Sequence, residues 1–161
     1  MSASITYTPI GYIHSPFTKV EDMPIQPEGA IGISGSIQME KQYTSALQDL
    51  EGFSHIYLLY HFHKSKDWSS QVVPFLDTIP HGLFATRAPK RPNPIGLSIV
   101  KLIGIEKNIL TIENVDILDG TPLLDIKPYV PAFDQVSDTR IGWLQGLDSG
   151  MKTQRSDQRF K

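Results

Sequence analysis

The chain has 161 residues, of which 40% are hydrophobic, and a formal net charge of −2 at pH 7. This length supports one domain with its own core, and the absence of cysteine excludes disulfides, thiolate metal sites and cysteine nucleophiles. No apolar run is long enough to span a bilayer, and the weak negative charge does not fit a strong nonspecific nucleic-acid binder, so any RNA contact has to be a local patch. The first residues lack a charged segment followed by an apolar one, so we expect no signal peptide and a cytoplasmic location.

The first half of the chain predicts two strands, a long loop and a helix. A strand is predicted over residues 6–14, a loop over 17–30 and a half-buried strand over 31–39, where apolar residues alternate with small polar ones. Residues 41–50 change to helical spacing, with apolar side chains at Tyr43, Ala46, Leu47 and Leu50. Gly52 is placed to end this helix.

The second half is mostly strands. The predicted elements are a central strand at 53–62, a short strand at 83–86, strands at 97–105 and 109–115 around a turn at 106–108, a turn at 119–120, and a strand at 123–126. Many short strands with one short helix predict a mainly β fold, a small single-sheet β-barrel over residues 1–148, although the pattern alone also fits a sandwich. Residues 149–161 are predicted to form a polar tail with four cations.

A proline-rich segment before the 97–105 strand concentrates positive charge. Arg87, Lys90 and Arg91 lie within five residues, and three prolines at 89, 92 and 94 restrict the backbone around them. A stiff loop that holds cations in place loses less entropy on binding, which suits a carboxylate or phosphate ligand. The alternative is a solvated basic turn that links two strands.

Histidines on the predicted central strand raise the question of a metal. His61 and His63 share one face of the strand, and His55 lies further back on that face. The alternative is a row of hydrogen-bonded histidines near a pocket. We expect no metal.

Four segments resemble one known family. They are PIGYIHSPF at 9–17, GFSHIYLLYHFH at 52–63, ATRAPKRPNPIGLS at 85–98 and DILDGTPLLDIKPYVP at 116–131. Together and in this order they are similar to the TsaA-like (YaeB, TrmO) family. The resemblance implies a small β-barrel that uses S-adenosyl-L-methionine to methylate N6 of N6-threonylcarbamoyladenosine at position 37 of threonine tRNAs. Many members carry a further C-terminal domain, which we expect this chain to lack. The chain also has neither GxGxxG nor GxxxxGK[ST], which argues against a doubly wound methyltransferase sheet.

The resemblance also implies which residues contact the cofactor. They are Gln26, Pro27, Glu28, His63, Lys64, Arg87, Leu97, Ile117, Leu118, Asp119, Gly120 and Thr121, with the last five acting mostly through backbone groups. Glu28 stands where members of the family often have glycine, and it lacks the backbone freedom of glycine.

The acceptor nitrogen of such a substrate is urea-like, so its lone pair is delocalised and removal of its proton calls for a base or a stabilising cation. Candidates for the base are Asp119, Asp125 and Tyr129, in no order; a structural alternative for Asp119 is turn chemistry. Lys90, Arg91 and Asn93 are predicted to bind the substrate, with Lys90 or Arg91 on the threonine carboxylate of the tRNA anticodon loop.

The sequence leaves two alternative functions open and also predicts a homodimer. The chain could bind S-adenosyl-L-methionine as a sensor or subunit without transferring methyl, or it could methylate a small molecule. A lone barrel offers one shallow mouth, and the apolar, proline-rich stretch 123–133 suggests contact beyond its own core. We therefore predict a homodimer with the site near the interface, and no membrane or DNA partner.

Overall fold

The computed structural model describes residues 3–25 and 27–147 of the chain. Its strands are β1 (Gly11–His14), β2 (Ser34–Met39), β3 (His55–His61), β4 (Gln71–Val72), β5 (His81–Gly82), β6 (Ile95–Glu106), β7 (Ile109–Glu113) and β8 (Thr121–Pro128). The 3₁₀ turns span Val20–Asp22, Pro27–Ala30, Lys41–Leu47, Leu50–Gly52, Leu83–Ala85 and Gly142–Leu144, and one α-helical turn, α1, spans Pro131–Asp134. The predicted tail at 149–161 and Gln26 lie outside the described residues.

Six strands form a closed barrel in the order β1-β2-β7-β6-β3-β8, and every neighbouring pair is antiparallel. The barrel closes where β1 pairs with β8, with Gly11 opposite Leu123. The mainly β single-sheet barrel is therefore confirmed, and the sandwich is excluded. None of the helices within 3–25 and 27–147 has the length and apolar character needed to cross a membrane.

Side chains alternate between the inside and the outside of the barrel, as the pleat of a strand requires. In β3 the even-numbered residues Ile56, Leu58 and Tyr60 are buried, and the odd-numbered residues are partly exposed. In β6 the even-numbered residues from 96 to 102 are buried in the same way. The strand predicted at 53–62 is present as β3, which lies between β6 and β8; in a closed barrel no strand is more central than another.

Local turn signals were reliable. β6 and β7 form the predicted hairpin, and Lys107 in its turn has a left-handed φ of 57°. The predicted turn at 119–120 precedes β8, and Gly120 adopts a φ of 76° that favours glycine.

The helix predicted at 41–50 is wrong in type. The segment forms two 3₁₀ turns, and Asp49 between them has a left-handed φ of 67° that interrupts any helix. The side chain of Thr44 bonds to the carbonyl of Lys41, the kind of local contact that competes with α-helical bonding. The apolar positions still predicted the packing, since Leu47 is buried and Tyr43 and Leu50 pack against the core.

Three strand predictions also need correction. β1 is shorter than 6–14 and begins at Gly11. β2 begins at Ser34, because residues 31–32 form a turn in which Gly32 has a φ of 79° and Ile31 is 69% exposed. The segment predicted as a strand at 83–86 is a 3₁₀ turn over Leu83–Ala85, directly after β5.

Because the strands are antiparallel, the connections sort to two ends of the barrel. Residues 15–33, 62–94 and 114–120 connect strands at one end, which we call the site end. Residues 40–54 and 107–108 connect strands at the other, which we call the plug end, where Leu47 covers the core. The long sequence segments with charged and polar residues therefore meet at the site end.

Candidate functional site

Nearly all the predicted cofactor residues meet at the site end. Glu28 lies in the first connection, His63, Lys64 and Arg87 in the second, and Ile117 to Gly120 in the third. Pro27 opens the 3₁₀ turn of the first connection, and Thr121 is the first residue of β8. Residues that are far apart in sequence are thus brought to one mouth by the strand order.

The turn before β8 presents acceptors rather than donors. The N–H groups of Asp119, Gly120 and Thr121 donate to the carbonyls of Phe17, Ile13 and Leu118 at 2.8, 2.8 and 3.3 Å. A ligand at this turn would therefore meet carbonyl oxygens and side chains. The ammonium, ribose hydroxyl and adenine amino groups of S-adenosyl-L-methionine are hydrogen-bond donors, so the chemistry of the turn fits that molecule.

Asp119 bonds to the end of β1, the strand next to β8. Its Oδ1 accepts the backbone N–H of Ser15 at 3.1 Å and lies 3.2 Å from Nδ1 of His14. These bonds fix the turn to the end of β1. The aspartate thus has a structural role, though through β1 and not through its own turn backbone.

His63 joins the β3 end to the same turn. The Thr121 hydroxyl donates to the Leu118 carbonyl at 2.7 Å, so towards Nδ1 of His63, at 3.4 Å, it can only accept. Burial, with Lys64 and His61 nearby, lowers the pKa of His63. A neutral ring that donates from Nδ1 leaves Nε2 as another acceptor at the site end.

Tyr60, Ser98 and Asp116 form a row of hydrogen-bonded polar side chains beside this turn, which we call the polar chain. The Ser98 hydroxyl donates to Oδ1 of Asp116 at 2.7 Å, and Tyr60 Oη lies 2.9 Å from Ser98 Oγ. Since the single hydroxyl hydrogen of Ser98 goes to the carboxylate, Tyr60 is the donor in the second bond. Tyr60 and Ser98 are only 6% and 2% exposed, whereas Asp116 keeps part of its surface accessible.

Burial and nearby charges shift the pKa values of Asp116 and Tyr60. Burial raises the pKa of the Asp116 carboxyl above its ordinary value, and the negative charge of Glu28 adds to the rise, while the bond from Ser98 and the positive charge of Arg87 oppose it. Burial and the charge of Asp116 also raise the pKa of Tyr60, which therefore remains a neutral donor. Arg87 and Glu28 thus lie close enough to Asp116 to act on it electrostatically.

Gly96 leaves space for the ring of Tyr60, one member of the polar chain. A Cβ at residue 96 would overlap the ring of Tyr60, so only glycine fits at this inward-facing position. Sequence reasoning missed Tyr60 and Ser98 altogether and assigned no role to Asp116. The available signal was a serine among the inward-facing, otherwise apolar positions of β6, because a buried hydroxyl requires a partner.

The cation loop is held together by one of its own cations. Nη1 of Arg91 lies 2.9 Å from the Thr86 carbonyl, 3.2 Å from that of Ala88 and 3.5 Å from that of Leu83. Its guanidinium carbon also lies 5.6 Å from the centre of the Phe84 ring. Arg91 therefore shapes the loop, while Arg87 is exposed and Lys90 lines a surface groove with Trp68. Asn93 is exposed, and its carbonyl accepts the N–H of Ile95 at 2.7 Å.

Three predicted site residues lie elsewhere in a single copy. Asp125 faces outward in β8 opposite Leu59 and pairs with Lys127 at 3.0 Å. Tyr129 follows β8 at the plug end, where its N–H donates to the His55 carbonyl and its ring contacts those of His55 and Tyr57. Leu97 is on the outer wall, 54% exposed and opposite Leu59 in β3.

The predicted histidine row is spread along β3. His55 begins the strand at the plug end and bonds to Ser54, whereas His61 ends it at the site end. Across the described ranges, no three His, Asp or Glu side chains are arranged to hold a metal ion.

The chain is similar to known proteins over most of its length. Residues 12–135 match the model of the tRNA-methyltransferase O N-terminal domain family. The chain is 52% identical to a probable S-adenosyl-L-methionine-binding protein of Pyrococcus abyssi, over 97% of this chain and 85% of that protein. It is 34% identical to the tRNA (adenine(37)-N6)-methyltransferase of Escherichia coli, over 89% of this chain and 65% of that protein.

Solved structures show the same barrel. A crystal structure of TrmO from Pseudomonas aeruginosa matches with a TM-score of 0.73 and 41% identity, over 88% of this chain and 63% of that chain. Another crystal structure of TrmO matches with a TM-score of 0.75 and 42% identity, and this chain covers 64% of it. The chain thus spans less than two thirds of these structures and of the Escherichia coli enzyme. Since the family model spans most of the chain, the protein belongs to the tRNA-methyltransferase O N-terminal domain family.

Proposed function

We propose that the protein is an S-adenosyl-L-methionine-dependent methyltransferase that acts in the cytoplasm on N6 of adenosine 37 in tRNA, with N6-threonylcarbamoyladenosine as the nucleoside that it accepts. The observation that carries the proposal is the convergence, at the site end, of acceptor oxygens, a buried carboxylate and a rigid cation loop in a member of this family.

The chain's acceptors suit the cofactor. The carbonyls of Asp119 and Gly120, Nε2 of His63 and the carboxylate of Glu28 would bind its donor groups. Arg87 would bind its carboxylate with a charge-assisted bond. When bound, the cofactor supplies an already activated methyl group, so the main task of the protein is alignment.

The cation loop supports the choice of an anionic acceptor. Lys90 lies in the same short loop as Arg87, at the rim of a groove that Trp68 also lines. The threonine carboxylate of the modified nucleoside would bind Lys90, and an unstacked base would find an aromatic surface in Trp68, which is 57% exposed. Arg91 contributes by fixing the loop.

The outer wall supports a homodimer. Ile95, Leu97 and Ile99 are 40%, 54% and 36% exposed, and they line up with Leu59 and Tyr57 on the neighbouring strand. This continuous apolar surface is suited to burial against a second copy. Such a pair would bring two cation loops to the anticodon loop and would place Leu97 near a site from which it is separated in one copy.

One observation favours a second function. A relative from Archaeoglobus fulgidus, 40% identical, is covered over 92% of its length by this chain and is named an S-adenosyl-L-methionine-binding protein. The second candidate is therefore a sensor that binds S-adenosyl-L-methionine without transferring methyl.

Mass spectrometry of nucleosides separates the two. Purified protein is incubated with S-adenosyl-L-methionine and threonine tRNA that carries the threonylcarbamoyl group, beside the same tRNA without that group. The proposal expects one added methyl on the modified nucleoside of the first tRNA only. Methylation of both would contradict the proposed nucleoside, and cofactor binding without methylation of either would support the sensor.

A further inference from the structure

The proposed function assigns no chemical step to Tyr60, Ser98 and Asp116, although their buried carboxylate lies at the site end. We propose that Asp116 is the general base of the reaction and accepts the N6 proton of the acceptor nucleoside, with Ser98 and Tyr60 as positioning residues. This inference rests on the proposed function. It replaces the three candidates for the base that the sequence offered, Asp119, Asp125 and Tyr129.

The geometry favours Asp116 over those candidates. Asp119 is held by His14 and Ser15, and Asp125 lies on the outer wall in an ion pair with Lys127. Tyr129 lies at the plug end. Asp116, by contrast, lies in the connection next to the predicted cofactor turn, is oriented by a bond to Oδ1, and keeps an accessible surface.

The proton balance requires such a group. As the N6–carbon bond forms, the carbon–sulfur bond breaks with its electron pair left on sulfur as a neutral thioether. The N6–H bond gives its electron pair to nitrogen and its proton to a carboxylate oxygen of Asp116 in the same step, because the delocalised N6 is a poor nucleophile while it keeps that proton. The protonated carboxyl later releases that proton to solvent.

The charged groups that face Asp116 tune it for this role. Burial and Glu28 raise its pKa, which makes it a stronger base than an exposed aspartate, while the Ser98 bond and Arg87 oppose the rise. The same burial weakens His63 as a base, because it lowers the pKa of that ring.

The raised pKa also predicts a stability signature. A carboxyl whose pKa is higher in the folded state binds more protons when folded, so its ionisation opposes folding as pH rises through that window. Asp116→Asn should therefore be at least as stable as the parent protein at neutral pH, and the difference should shrink in acid.

Asp116→Asn is the direct test, because asparagine keeps an acceptor for Ser98 but cannot take a proton. Single-turnover methyl transfer should fall by about 10²–10⁴-fold, while calorimetric affinity for S-adenosyl-L-methionine stays within about twofold. Asp49→Asn, at an exposed carboxyl of the plug end, is the matched control and should transfer at the parent rate. A variant with parent-like transfer, or one whose defect is entirely in cofactor affinity, would overturn the role.

The parent protein, measured in the same assay, distinguishes failure of the proposed function from failure of Asp116 as the base. No transfer by the parent protein contradicts the proposed function, whereas normal transfer by the parent and by Asp116→Asn contradicts only the base.

Carboxyl carbon NMR provides a readout that does not need turnover. In Ser98→Ala the loss of a donor should raise the pKa of Asp116, and the acid limb of the pH–rate profile should move to higher pH by the same amount. Tyr60→Phe should move both in the same direction by less. An unchanged Asp116 titration in Ser98→Ala, or a limb that does not follow it, would contradict the inference.

Discussion

The two ends of the barrel solve different problems with the same six strands. At the plug end, Leu47 with Tyr43 and Leu50 covers the core, and the connections are 3₁₀ turns and a tight hairpin. At the site end, Ser98 and Asp116 place buried polar groups beside the ends of the strands. Stability should therefore be most sensitive at the plug end and binding at the site end.

The largest effect is expected from Leu47→Ala. Leu47 is 7% exposed, so its truncation leaves a cavity and should lower the free energy of unfolding by about 2–5 kcal/mol. Denaturant unfolding measures the loss, and calorimetry on the folded variant should show unchanged cofactor affinity. A comparable loss of affinity would mean that the two ends are coupled.

Arg87→Ala should show the reverse pattern. Loss of a charge-assisted bond should weaken binding of S-adenosyl-L-methionine by about 1.5–3 kcal/mol, with little change in unfolding because Arg87 is exposed. Calorimetry measures the affinity.

Lys90→Ala sharpens that result within the same loop. It should spare cofactor affinity, weaken tRNA binding, and make that binding less sensitive to salt, because one contact between a cation and an anionic group of the RNA is lost. Equal loss of cofactor affinity in both variants would mean that the loop acts as one structural unit.

Gly96→Ala should disturb the site end through packing. A methyl group at this position overlaps the Tyr60 ring, and overpacking of this kind lowers stability by about 1–3 kcal/mol. Gly104→Ala in the same strand is the matched control, since no atom lies within 4 Å of its Cβ position. Similar unfolding curves for the two variants would show that Tyr60 moves aside easily.

The smallest effect is expected on the outer wall. Asp125 and Lys127 are 48% and 64% exposed at the side chain, and exposed ion pairs contribute about 0–1 kcal/mol. Lys127→Ala should leave unfolding and cofactor affinity nearly unchanged. A large loss of affinity would place a second copy's site on this wall.

The sequence predicted what depends on local chemistry. The β6–β7 hairpin and the turn at Gly120 follow from residues that favour left-handed or tight conformations. The helix at 41–50 was wrong in type because apolar spacing predicts which side chains are buried but not whether the backbone stays helical through Asp49.

The polar chain could not be predicted because it depends on pairing between distant segments. Tyr60 meets Ser98 because β3 and β6 pair in one particular register, and Asp116 arrives from a connection beyond β7. The family resemblance implied cofactor-binding residues near the polar chain, but it did not imply the polar chain itself. The separation of Asp125 and Tyr129 from the site end likewise follows from strand direction, which a linear sequence does not display.

Amide NMR during titration with S-adenosylhomocysteine tests the central claim, that binding belongs to one end of the barrel. We expect the large chemical-shift changes at the site end, within residues 15–33, 62–94 and 114–121. The amides of the plug end, residues 40–54 and 107–108, should be nearly unchanged. Shifts centred on the plug end would contradict it.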